Sequence, residues 1–400
     1  MQFMMSNIAV IGYGSQVKRL IDILLEQDKS CQIAAIADPK HEEIKRQMQA
    51  EGTDTSGIQY YESADELLGQ NKYDGVLIGT RCSLHTPMAI KVLNKGFPLY
   101  LEKPVSTSMT DLIALRDAYR SSVSPVVVSF PLRVTHHVKL VKEIIDSGKI
   151  GTVEHVQAVN NVAYGSVYYH NWYRNEEETQ GLFLQKATHD FDYITHILGI
   201  KPVRVCAITS KQIFKGTKRA GLTCGECSEQ ESCPESPQNL RKSGEQPFGD
   251  HCCFAEDTGN EDSGSALVEY ESGMHVSYSQ NFFVKKKAGT RGARFMGYKG
   301  TVEFDWATDQ VKVFMHHTPR VETYQIDSSA TAVGHGGGDH ILMDNFAQMM
   351  KDHGTKSISP LEAGLESALL CLKAKASAQT GSFQKIEWPD EEATLERSGE

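Results

Sequence analysis

The residues with the most chemistry to offer are two lysines and a histidine. Lys103 lies in Glu102-Lys103-Pro104; Lys186 and His189 lie in Lys186-Ala187-Thr188-His189-Asp190-Phe191-Asp192. An ammonium steadies a developing alkoxide, and an imidazole with an ordinary pKa of about 6.5 exchanges a proton at neutral pH. A neighbouring cation would lower the pKa of Lys186 and let it carry a proton itself. Downstream of a glycine-rich turn at Gly12 and Gly14, this set reads as redox chemistry at an alcohol carbon.

The elements that must position these groups begin with a strand from Asn7 to Gly12, then Gly12-Tyr13-Gly14-Ser15-Gln16-Val17. A helix with Leu20, Ile21, Leu24 and Leu25 on one face comes next, and a second strand, Cys31 to Ala37, ends at Asp38. Strand, tight turn, helix, strand and acid in that order make a Rossmann dinucleotide-binding unit. Its glycines admit a pyrophosphate to the backbone, and the helix N-terminus supplies N–H groups. Val17 stands where the fingerprint has glycine or alanine, which predicts a wider helix–strand contact. A carboxylate at Asp38 accepts ribose hydroxyls and repels a 2′-phosphate, favouring NAD over NADP, although Lys40 and His41 lie nearby. Further cofactor contacts are expected from Thr80 and His85, in a loop after the buried strand 73–79, and from Glu102 and Lys103, after the strand 98–101. Pro87 is expected to open a helix at its first position.

The glycine loop, Asp38, Thr86-Pro87, Glu102-Lys103-Pro104 and a subsequent antiparallel region together resemble the glucose–fructose oxidoreductase, inositol dehydrogenase and rhizopine-catabolism family, over nearly the whole chain. The resemblance implies that Lys103 binds and polarises the reacting hydroxyl beside the nicotinamide. It also implies that His189 is the catalytic histidine, with Asp192 the acid after it. The family's first aspartate is replaced by Gln185, which cannot accept a proton, and Lys186 adds a cation beside it. Asp339, opening a helix after a glycine-rich loop, is a candidate substrate contact on the same grounds, as is Arg133 at the entry to the second domain. A homodimer or homotetramer is expected from relatives that associate through the open sheet.

The fold class expected is α/β: an N-terminal Rossmann domain (1–130) and a C-terminal α+β domain (131–388) with an open, mostly antiparallel sheet, then an acidic tail (389–400). Thr188 is positioned to cap the helix that carries His189, with Phe191, Ile194, Ile197 and Leu198 at helical spacing and Gly199 closing it. The run holding Tyr168, His170, Trp172 and Arg174 is too aromatic and polar for an ordinary core and suits a sugar-like ring, or alternatively a subunit interface.

Residues 223–257 form an insert poor in aliphatics that carries Cys224, Cys227, Cys233, Cys252 and Cys253. The first three with either Cys252 or Cys253 make a structural zinc set, with an iron–sulfur cluster, free thiols or an oxidised pair as alternatives. The net charge of -10 and the lack of a basic stripe argue against a nucleic-acid partner. Charges interrupt every apolar stretch, and the first seven residues do not resemble a secretory signal, so a cytoplasmic protein with no membrane partner is expected. Three functions fit: NAD-dependent oxidation or reduction at a ring hydroxyl of a sugar, sugar derivative or cyclitol; NAD-dependent glycoside hydrolysis through transient oxidation at C3; or non-catalytic ligand sensing.

Overall fold

The structure, a computed structural model, describes residues 5–70, 72–327 and 335–389. The chain divides into two compact units. One comprises the chain to Thr135 together with the helix Gly338–Lys351 and the segment after that helix to Ala368; the other runs from His136 through the last long strand and resumes at Leu369. The helix Gly338–Lys351, which falls within residues 131–388, groups with the first unit. The acidic tail from 390 on lies outside the described residues.

The first unit is built on six parallel strands: β1 (Ser6–Ile11), β2 (Cys31–Ala37), β3 (Gln59–Tyr61), β4 (Gly75–Ile78), β5 (Leu99–Leu101) and β6 (Val126–Val128). Their order is β3-β2-β1-β4-β5-β6, so the chain reverses direction across the sheet between β1 and β4. Doubly wound sheets bind ligands at that reversal, at the carboxyl ends of their strands. β4 to β6 are apolar throughout and fully buried, as strands covered on both faces must be. The returning helix Gly338–Lys351 packs Leu342, Met343, Phe346 and Met350 into the cluster formed by Val10, Leu20, Leu24 and Tyr100.

The second unit carries a nine-stranded sheet: β7 (Val153–Asn161), β8 (Pro202–Ser210), β9 (Ser263–Tyr270), β10 (His275–Asn281), β11 (Thr290–Gly297), β12 (Gly300–Asp305), β13 (Gln310–Met315), β14 (Val321–Gln325) and β15 (Gln384–Lys385). The order is β14-β13-β12-β11-β7-β10-β9-β8-β15, antiparallel except where β7 meets β10. Alternation buries one face of the sheet and leaves the other open: in β10, Val276, Tyr278 and Gln280 are buried while the intervening side chains are not. β14 and β15 carry no clear sequence signal, because β14 has no buried face and β15 is two residues long.

Several local expectations are corrected. Only residues 80–81 of the segment 80–85 are loop: the helix runs Cys82–Leu93 with Pro87 inside it, beyond the first turn, where the helix forgoes one backbone hydrogen bond. A further helix spans His136–Asp146. Thr188 does not cap its helix, because a wide π-helical turn, Phe183–Ala187, leads directly into Thr188–Leu198.

Candidate functional site

In the first unit the site is built around Gly12, at φ +82°. A Cβ there would lie 2.8 Å from Cγ2 of Thr80 and 2.9 Å from its Cα, so the turn tolerates only glycine. Gly14 flanks the helix Ser15–Gln27, whose first turn has no side-chain cap, and a Cβ at Gly14 would meet nothing within 4 Å. Open backbone at an uncapped helix N-terminus suits a pyrophosphate. Asp38 comes directly after β2 and accepts the N–H of Tyr13 at 3.0 Å and of Lys40 at 2.8 Å. These bonds hold its carboxylate against the glycine turn, where a ribose is expected. The cradle therefore fits NAD.

The large third residue is accommodated from the opposite side. Val17 is buried, and a Cβ at Gly79, just beyond β4, would fall 1.9 Å from its Cγ2. Glycine on the strand side thus leaves room for the valine's volume.

Glu102-Lys103-Pro104 leaves β5 and is clamped by the segment after β4. Nδ1 of buried His85 bonds the carbonyl of Pro104 at 2.7 Å, Nε2 contacts that of Thr80 at 3.2 Å, and Thr86 donates to the carbonyl of Val105 at 2.9 Å. His85 thus fixes the backbone that carries Lys103. The Lys103–Pro104 peptide is cis. Glu102 is buried and accepts from Ser129 Oγ at 3.0 Å; burial, opposed by the Lys103 charge, raises its pKa to about 7. Arg133 turns one nitrogen to the carbonyl of Ile358 at 3.3 Å. Asp339 is fully buried and bonded to Arg19 at 2.7 Å and to His335 at 2.9 Å, so its carboxylate is directed into the first unit.

In the second unit Lys186 sits on the π-helical turn. A turn wound this wide is rare and recurs at functional sites. Glu261 holds its start, accepting the N–H groups of Leu182 at 2.8 Å and Phe183 at 3.1 Å. Asp190 is the anchor beneath: fully buried, it accepts from Asn160, Tyr278 and Arg291, each at 2.8 Å. Of the two acids in the helix it is the structural one. His189 and Asp192 are both buried on the same helix. Gln185 donates its amide to the carbonyl of Thr179 at 3.0 Å, a packing role that leaves no acid where the family has one.

Lys186 is buried and donates to the hydroxyl of Tyr164 at 2.6 Å, with its Nζ 4.7 Å from the ring centre of Tyr164 and 5.4 Å from that of Tyr168. The expected depression of its pKa is reversed. Burial and Arg291 work to lower it, but the two phenols outweigh them and hold the ammonium above its ordinary range. Lys186 stays charged. Sequence reasoning misses Tyr164, because a lone tyrosine in a turn carries no signal by itself. A weak one is Gly165 beside it, where a Cβ would lie 1.9 Å from the carbonyl oxygen of Phe282.

The aromatic run is less open than expected. Tyr168 and Tyr169 pack with Phe214 and Phe282, Trp172 stacks on Tyr173 at 3.9 Å, and His170 and Arg174 are buried. His170 bonds the carbonyl of His251 at 2.7 Å; Arg174 donates to Asp257 at 2.6 Å and to Thr258 at 2.9 Å. Both polar groups thus secure the cysteine insert. Cys224, Cys227, Cys233, Cys252 and Cys253 line one 220 Å³ pocket, yet among the described residues no three His, Cys, Asp or Glu side chains are arranged to hold a metal ion. Burial, aided by the neighbouring thiols, raises the pKa of Cys224 to about 12.

Fold and glycine turn together define a dinucleotide-binding protein of the Rossmann type. Residues 6–130 match the profile of an oxidoreductase family with an NAD-binding Rossmann fold, and residues 142–387 match that family's C-terminal alpha/beta domain. The chain belongs to this Gfo/Idh/MocA oxidoreductase family and is an NAD-dependent oxidoreductase. It is 27% identical over 319 residues to YteT of Bacillus subtilis (strain 168), covering 70% of this chain and 74% of that protein. It is 24% identical over 185 residues to the rhizopine catabolism protein MocA of Rhizobium meliloti, covering 46% of this chain and 55% of MocA. With inositol 2-dehydrogenase of Corynebacterium glutamicum it shares 22% over 202 residues, 50% of this chain and 56% of that one, so these two matches span little more than half of each relative. A levoglucosan dehydrogenase in complex with NADH and levoglucosan has the same fold, at TM-score 0.75 and 16% identity over 95% of this chain and 99% of that one. No helix among the described residues is long and apolar enough to cross a membrane.

Proposed function

We propose that the protein oxidises a ring hydroxyl of a sugar, sugar derivative or cyclitol, or reduces the corresponding ketone. The observation that carries this reading is Lys103, held at the carboxyl end of β5 by the bond from His85 to the carbonyl of Pro104, in the same unit as the glycine turn. NAD, when bound, supplies the hydride acceptor. Lys103 binds the reacting hydroxyl and stabilises negative charge on its oxygen, while His189 exchanges the proton. Relatives named for inositol and levoglucosan support a polyhydroxylated ring as substrate.

The hydrolytic reading requires a further acid/base set, for which Lys186 with His189 would have to serve. A panel of cyclitols, free sugars and glycosides with NAD tests the choice. NADH formed in proportion to substrate consumed is expected; aglycone release with no net NADH would overturn the dehydrogenase reading.

Residence in the cytoplasm and assembly as a homodimer or homotetramer belong to the same proposal, checked by cell fractionation and sedimentation velocity. A structural zinc ion in the insert requires the thiols of Cys224, Cys227, Cys233 and Cys252 to turn toward the pocket they line. Metal analysis of protein purified without chelators tests it, and zinc-free, fully folded protein would dismiss it.

A further inference from the structure

We propose that Tyr164 is a second proton-transfer residue of the reaction, its hydroxyl exchanging a proton with the substrate under the charge of Lys186. This rests on the reading that the reaction oxidises a hydroxyl and that the turn bearing Lys186 faces the substrate.

The charges around the lysine single out one phenol. Arg291 is neutralised by Asp190 through a 2.8 Å ion pair, which also occupies a buried carboxylate. Lys186 is left among phenols: Tyr164 at hydrogen-bond distance and Tyr168 beneath it. An ammonium that donates to a phenol oxygen favours the phenolate over the phenol. Burial drives the two phenols apart. Tyr168 is 7% exposed and packed against Tyr173 and Phe282, and its pKa is raised by burial against the pull of Lys186. Tyr164 is 55% exposed, so burial opposes its ionisation far less than that of Tyr168.

Position agrees with this role. Tyr164 sits in the tight turn after β7, closed by a bond from Gly165 N–H to the carbonyl of Val162 at 3.2 Å and pressed against the backbone of Phe282. The turn therefore holds the phenol at a fixed distance from Lys186. The step balances: the alcohol O–H proton passes to the Tyr164 phenolate, the hydride departs with the C–H electron pair to NAD⁺, and the carbonyl π bond forms from the O–H pair. Lys186 keeps its proton throughout. Tyr164, itself 55% exposed, passes that proton on to solvent.

The first test needs neither substrate nor NAD. Titrating the protein at 295 nm should reveal one tyrosine ionising at least about one pH unit before free tyrosine, near pH 10. That component should vanish in Tyr164→Phe and move to higher pH in Lys186→Met, with thermal melts confirming both variants folded. In turnover, Tyr164→Phe should lower kcat by about a hundredfold, the lower range for a general acid or base, with NAD affinity unchanged. It should also remove one limb of the pH profile. A wild-type titration with no early component, or a Tyr164→Phe variant with unchanged kcat and pH profile, would overturn the proposal. The functional reading fails separately: if Lys103→Ala kept full activity while the early tyrosine persisted, the role of Lys103 would fall and the Tyr164–Lys186 pair would stand.

Discussion

The contact between Val17 and Gly79 makes a prediction that no single substitution can mimic. In Gly79→Ala the added methyl would lie 1.9 Å from Cγ2 of Val17, well inside van der Waals contact, on a half-buried strand end that is hydrogen-bonded to β1 through the N–H of Gly79 at 3.0 Å. Forcing a methyl into a packed core costs about 1–3 kcal/mol. Val17→Ala alone removes two buried methyl groups, about 1.6 kcal/mol by transfer with a small cavity term added. If the two sites were independent the double variant would lose roughly 3–4 kcal/mol. Because the alanine methyl at 79 would occupy the space the valine vacates, the double variant should instead lose about 1 kcal/mol, a coupling of roughly 2 kcal/mol. Urea denaturation of the four proteins measures this, and NAD titration should show the same order, since Val17 lies in the first turn of the pyrophosphate helix. Additive losses, or a Gly79→Ala variant as stable as the parent, would refute the claim that glycine on the strand replaces the missing third glycine of the turn.

Lys103→Ala should retain NAD binding by calorimetry and lose at least about a hundredfold in kcat/KM, because the lost interaction is made to the reacting oxygen. Glu102, with its pKa raised to about 7 from 4.5 by burial, binds its proton more tightly folded than unfolded. Its contribution is therefore fully present below pH 4.5 and is lost as pH rises through 7, by roughly 3 kcal/mol at most, and a pH series of melting temperatures should show this slope flattened in Glu102→Gln. Asp190→Ala strands the buried Arg291 guanidinium and should cost about 3–5 kcal/mol in urea denaturation, with Asp190→Ala/Arg291→Met recovering part of it. Asp38→Ser should narrow the preference for NAD over NADP, read as the ratio of kcat/KM for the two cofactors.

Much of the first unit is legible in the sequence because its signals are local. Gly12 requires a positive φ, β4 to β6 are unbroken apolar runs, and Asp38 ends a strand at a fixed distance from the turn. Lys103 is legible for the same reason, since its strand and its proline neighbour lie beside it in sequence. Where a residue's bonds depend on a partner far along the chain, local reasoning is silent. His170 and Arg174 have the chemistry of sugar contacts, and nothing in their own segment announces their bonds to His251 and Asp257. Asp339 has the position of a substrate contact, but its carboxylate is taken by Arg19, 320 residues away.

The sequence by itself determined the two kinds of sheet, the nucleotide turn and the residue types available for catalysis, because strand periodicity, glycine conformation and charge are properties of short segments. Only the tertiary structure decided the state of those residues. A cationic neighbour should make Lys186 give up its proton, yet it keeps it because two phenols surround it and Asp190 has already claimed Arg291. A side chain's protonation and reach are set by what packs against it in space, and that is fixed by contacts between strands and turns tens to hundreds of residues apart.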